Sequence, residues 1–142
     1  MGDRRLHFGV VLSTVEQPIQ SIIWQSIAQY ADKNNIHLTA YYGSYESQYH
    51  GDYHNMENES SLHYETCFET IKRSNLDGLL LFSGFIVQSI GLESFHKYLN
   101  EIPSHIPVVS ISYLVPDMTS VLINNIERIR HVLGKKIAYG RR

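Results

Sequence analysis

Four short apolar runs punctuate the chain: LHFGVVL (6–12), IHLTAYY (36–42), DGLLLF (77–82) and PVVSI (107–111). Segments with helical periodicity lie between them. This alternation constrains the fold more than any other feature, because strands joined by helix-length segments pair in parallel and need helices to cover their faces. DGLLLF is apolar without interruption, as a strand buried on both faces is. A fifth strand is expected at SVLIN (120–124), with no helix before it.

The helical segments carry their own signals. Ile19, Ile22, Ile23, Ile27, Tyr30 and Ala31 share one face at 3.6-residue spacing. Pro18 suits the first turn of that helix, and Asn34-Asn35 supplies a left-handed stop. Tyr64, Cys67, Phe68 and Ile71 define a second helix, with Ser60 or Ser61 as its cap. Leu92, Phe95, Tyr98 and Leu99 line a short third one. The stretch 43–61 is expected to be an irregular loop overhanging the carboxyl ends of the strands, where open α/β sheets bind ligands.

Composition removes several classes of function. The chain has 142 residues, 43% hydrophobic and 18% charged, which suits one globular domain. Its net charge of −2 and the absence of a basic stripe beyond Arg4-Arg5 and the tail argue against general nucleic-acid binding. A single cysteine, Cys67, excludes an internal disulfide and a multi-cysteine zinc site. No apolar run approaches the ~18 residues of a membrane span and no cleavable leader is evident, so a cytoplasmic protein is expected.

No enzymatic motif emerges. LSTVEQPIQ, after the first strand, lacks glycine, which rules out a dinucleotide fingerprint or P-loop there. A phospho-receiver needs acidic residues beside the first strand and an aspartate ending the third; here stand Leu12-Ser13 and Phe82-Ser83. No serine sits in a G-x-S-x-G elbow, and Glu16 has no carboxylate partner at a defined spacing. His50, Asp52 and His54 alternate, which on an extended segment would align three ligand-type side chains; a solvated surface insert accounts for the same residues. No catalytic residue, cofactor or metal is expected.

What remains is a set of neutral polar groups at strand ends, Ser13, Gln17, Gln20, Ser83, Ser112 and Asn124, with Phe82, Phe85 and Tyr113 beside them. Hydroxyls and amides next to flat apolar faces suit a small polar ligand such as a sugar or nucleoside. The same residue types also favour loops and caps, and chemistry alone divides the two readings evenly.

The order of the segments adds a resemblance. HFGVVLSTVEQPIQSIIWQSIAQYADKNNIHLTAYYGS resembles the opening of the type I periplasmic-binding-protein fold, shared with the ligand-binding domains of LacI-type regulators. LDGLLLF looks like the V-D-G-I-I-L segment of that family. IPVVSISYLVPDMTSVLINN is similar to its I-P-V-V-x-I-D-R…V-x-x-D-N segment. The likeness runs from Leu6 to Asn125. It implies the N-terminal lobe of a two-lobed receptor: a three-layer α/β unit with a parallel sheet in the order 2-1-3-4-5, closing over ligand like a hinge.

By position, the resemblance places Ser13, Gln17, Ile19 and Gln20 in the first pocket loop, Phe82 and Ser83 after the third strand, Ser112 and Tyr113 after the fourth, and Asn124 at the crossover to the second lobe. The Asp-Arg pair that grips sugar hydroxyls in many relatives is here Ser112-Tyr113, and the usual aspartate at the crossover is Asn124. Residues 1–125 are thus expected to form the first lobe. Residues 126–142 read as a shortened helix, Ile126 to Leu133, about 12 Å long, and the stub of a second-lobe strand, LGKKIAY (133–139).

The resemblance implies a non-enzymatic, cytoplasmic ligand-sensing lobe of a signalling or transcription-regulatory protein, without a DNA-binding motif of its own and with a second lobe or output domain outside this chain. A lone lobe exposes the face its partner would cover, which favours a homodimer. The alternative is an interaction or dimerisation module that has kept the fold and lost the ligand.

Overall fold

A computed structural model describes residues 4–13, 18–43, 53–122 and 133–134, with the backbone alone for 53–61. Five strands, β1 (His7–Leu12), β2 (His37–Tyr42), β3 (Gly78–Leu81), β4 (Val108–Ile111) and β5 (Thr119–Val121), form one sheet in the order β2-β1-β3-β4-β5. Every pairing is parallel. Among the described residues, four helices with defined bounds accompany them: α1 (Pro18–Lys33), α2 (Tyr53–Arg73), α3 (Ser83–Ile90) and α4 (Leu92–Glu101).

Strand alternation sorts the core into two layers. Val10, Leu12, Leu80 and Ile111 face α1, where they meet Ile23, Trp24 and Ile27. Val11, Leu79 and Leu81 face the opposite way, against Tyr64, Phe68 and Ile71 of α2, Ile86 of α3 and Phe95 and Tyr98 of α4. β3 therefore needs apolar side chains at Leu79, Leu80 and Leu81, and its unbroken run follows from burial on both faces. Phe68 and Tyr98 stack with ring centroids 5.0 Å apart and planes within 4°, which joins α2 to α4.

α1 begins at Pro18 and stops where the sequence indicates. Asn35 takes φ 54°, and the Ile36 N–H donates to the Ala31 carbonyl at 2.8 Å, returning the chain into β2.

Two expectations are corrected. α2 starts at Tyr53, so Ser60 and Ser61 lie inside the helix and do not cap it, and residues 53–61 belong to the helix rather than to the expected irregular loop. Its first turns, YHNMENES, lack an apolar stripe, and periodicity alone gives no helical signal there. His54 falls within this helix rather than on an extended segment; His50 and Asp52 lie outside the described residues. Second, the chain between β3 and β4 holds two helices, not one. α3 opens directly after Phe82, and Gly91 at φ 84° separates it from α4.

The return from β4 to β5 takes only seven residues, 112–118, without a helix. Parallel strands ordinarily need a dozen or more. Two residues in left-handed conformation, Ser112 (φ 66°) and Asp117 (φ 62°), make the sharp reversals this requires.

Candidate functional site

The parallel sheet brings the carboxyl ends of β1, β3 and β4 to one edge, and most of the expected site residues described lie there. Ser13 follows β1. Its N–H donates to Gln20 Oε1 at 3.1 Å, and Gln20 is wholly buried although α1 begins only two residues before it. Gln20 thus turns inward and fixes the main chain at the end of β1. Ile19 lies on the same first turn but is half exposed.

After β3, Phe82 is wholly buried and packs with Val10, Leu12 and Ile111 in the α1-facing core, its ring centroid 6.2 Å from that of Phe85. It serves as wall rather than as an open stacking face. Ser83, also wholly buried, opens α3. Ser110 Oγ of β4 lies 2.7 Å from both Ser83 Oγ and the Tyr113 carbonyl oxygen. Each hydroxyl has one proton to give, so either Ser110 donates to the Tyr113 carbonyl and accepts from Ser83, or Ser110 donates to Ser83, which then donates to the Leu81 carbonyl at 3.3 Å.

Ser112 ends β4 in the left-handed conformation. Its N–H donates to the Val121 carbonyl at 2.8 Å, while its hydroxyl is buried without a partner. Gly84 lets α3 approach this turn: a Cβ there would stand 2.8 Å from the Ser112 carbonyl oxygen. Tyr113 stands edge-on to Phe95, centroids 6.2 Å apart. Gln17 and Asn124 lie outside the described residues.

Two groups at this edge were not singled out from the sequence. Ser110 reads as a small residue within an apolar strand, yet a lone hydroxyl in such a run was the available signal. Tyr64 reads as one more apolar position on the α2 stripe. It is wholly buried, and the backbone of Gly43 rests on its ring, where an added Cβ would stand 2.0 Å from a ring carbon. Ser13 and Ser89 lie close to the Tyr64 hydroxyl without forming a well-aligned hydrogen bond to it. Burial pushes the phenol up to about 12, partly offset by those two serines, so it stays neutral and protonated at working pH.

The described side chains of this edge, Ser13, Gln20, Tyr64, Phe82, Ser83, Ser110, Ser112 and Tyr113, include no charged group. Tyr64 and Ser112 hold the two buried side-chain polar atoms left without a partner among the described residues. Each unpaired hydroxyl costs about 1–3 kcal/mol, a penalty that a bound polar molecule would remove. Burial pushes the Cys67 thiol up to about 11, and its Sγ–H points to the Tyr42 carbonyl at 3.4 Å. Among the described residues, no three His, Cys, Asp or Glu side chains are placed to hold a metal ion, and no helix is long and apolar enough to cross a membrane.

The fold and the position of this edge define an open, doubly wound parallel α/β lobe. It is the fold of one lobe of LacI-type regulators. Transcription regulator CcpA of Lactococcus lactis matches with a TM-score of 0.62 at 18% identity, over 96% of this chain and 44% of that one. An uncharacterized protein from Actinobacillus succinogenes matches with a TM-score of 0.62 at 16% identity, over 95% of this chain and 43% of its own. The Lac repressor dimer bound to operator and the anti-inducer ONPF matches with a TM-score of 0.58 at 11% identity, over 94% and 42%. This chain therefore spans less than half the length of each of these structures. No family model and no curated protein matches its sequence.

Proposed function

We propose that the chain is a non-enzymatic ligand-sensing lobe of a cytoplasmic signalling or transcription-regulatory protein, which closes with a second lobe over a small neutral ligand of sugar or nucleoside type. The observation that carries this reading is the uncharged hydrogen-bonding edge formed by Ser13, Ser83, Ser110, Ser112 and Tyr113, with the Ser112 hydroxyl buried and unpartnered. The likeness to CcpA, a transcription regulator, and to a Lac repressor dimer bound to operator and an anti-inducer supports it. Closure would act by stabilising one of two lobe arrangements, which an output domain reads.

Isothermal titration with neutral pentoses, hexoses and ribonucleosides is expected to find a member that binds. Ser112→Ala and Tyr113→Ala should each weaken that binding by about fivefold, the worth of one hydrogen bond or its equivalent in packing. Unchanged affinity in both variants and in Gln17→Ala would remove the site assignment.

A second reading, self-association through the α1 face, rests on a groove of about 340 Å³ lined by Ile22, Ile23, Ile27, Leu80, Ile111 and Val121. Ile22 is 65% exposed and Val121 56%. A second copy of the chain would cover them. Sedimentation equilibrium is expected to show a dimer that Ile22→Glu dissociates; a monomer at high micromolar concentration would dismiss this reading.

A further inference from the structure

We infer that Tyr64 is a positioning residue of the ligand site: its phenolic hydroxyl stands behind Ser13 and donates to the Ser13 hydroxyl when that hydroxyl turns to bond an uncharged polar group of the ligand. The inference rests on the ligand-sensing reading above and adds to it a residue outside the strand ends.

Three observations support the relay. The Tyr64 hydroxyl is fully buried and has no hydrogen-bond partner among the described residues, although Ser13 and Ser89 lie beside it. A phenylalanine would fill the same space between the Gly43 backbone and the α2-facing core without leaving a polar atom unpaired. And the hydroxyl cannot swing away, because Gly43 presses on the ring and Phe68 and Ile71 flank it on the same helix face. Ser13 is the movable member. Its main chain is held by the N–H bond to Gln20 Oε1, which leaves rotation about the Cα–Cβ and Cβ–O bonds free to aim the hydroxyl.

The phenol, held protonated by burial, can donate a hydrogen bond to Ser13 Oγ while keeping its proton. Ser13 then donates its own proton outward to a ligand hydroxyl or carbonyl oxygen. Hydrogen bonds in such a chain polarise one another, so the ligand feels Tyr64 through Ser13. No bond is made or broken covalently.

The test uses Tyr64→Phe, Ser13→Ala and the double variant of the whole chain. The probe is whichever of D-ribose, D-glucose, D-galactose, adenosine and uridine gives the largest thermal shift with the unaltered protein. The ligand-free Tyr64→Phe variant should melt at the same temperature as the parent or higher, since it loses an unpaired buried group. Its affinity for the probe should fall about fivefold, and so should that of Ser13→Ala. The double variant should be no weaker than either single one, the signature of one shared interaction. Equal affinity in Tyr64→Phe and parent would overturn the relay and leave the pocket standing. A melting point lowered by several degrees without ligand would overturn it too, because the hydroxyl would then belong to the fold. No shift with any probe in the parent chain would instead bring down the ligand-sensing reading, and the relay with it.

Discussion

Ser112 carries two costs at once: a non-glycine residue at φ 66°, and a buried hydroxyl without a partner among the described residues. The first has a structural cause, since the seven-residue return to β5 needs a reversal there. The second has none in the fold. Ser112→Gly removes both, and we expect it to raise stability by about 1 kcal/mol, measured by urea denaturation, while weakening the ligand. Gly84→Ala should do the opposite to stability and cost about 1–3 kcal/mol, because its Cβ would press on the Ser112 carbonyl oxygen. The places of Ser13, Ser83, Ser112 and Tyr113 just after strands were legible from the apolar runs before them, while their part in a ligand site remains the proposal made above. Ser110 and Tyr64 were not, because their polar atoms lie on positions whose periodicity reports only burial.

At the scale of elements, the strand cores of the first four runs were readable to within a residue or two, since burial on both faces leaves an unmistakable apolar run. α3 was hidden for a related reason: SGFIVQSI is too short and too apolar for a polar face to mark it as a helix. The amino ends of β1 and β2 hold a feature with its own consequence. His7 and His37 are register partners with ring centroids 4.4 Å apart; His7 Nε2 lies 2.7 Å from Thr39 Oγ1, and the His7 N–H donates to Asp77 Oδ2 at 2.8 Å. Loss of solvent, then the neighbouring His37, holds the His7 imidazole below its ordinary range, with Asp77 opposing. Asp77 is held low by the His7 N–H bond and by Arg4, which pairs with it. A depressed folded value means that the unfolded chain takes up protons first, so stability is present above the ordinary histidine range and lost as pH falls through the folded value. The melting temperature is expected to drop between pH 7 and pH 5, and His7→Gln to flatten that drop, by circular dichroism at closely spaced pH values.

For the whole molecule, topology predicts an uneven distribution of protection. β1, β3 and β4 are paired on both sides, β2 and β5 on one. Amide exchange should therefore be slowest in β1 and β3 and much faster in β5, which has three residues and two exposed side chains. Equal protection across the sheet would contradict the observed order. The strand order followed from the resemblance more than from periodicity, which reports faces and says nothing of neighbours. At 11–18% identity to the regulators and the uncharacterized protein it matches, the chain shares their fold while most of its residues differ.

Ser110 reaches from within the sheet to Ser83 on one side and the Tyr113 backbone on the other. The loops after β3 and β4 are thus one mechanical unit with a shared anchor. On the ligand-sensing reading proposed above, a new ligand preference would call for paired changes across the two loops, because both are tied to the Ser110 hydroxyl. Libraries built to retarget this edge should vary both loops together and leave Ser110 alone.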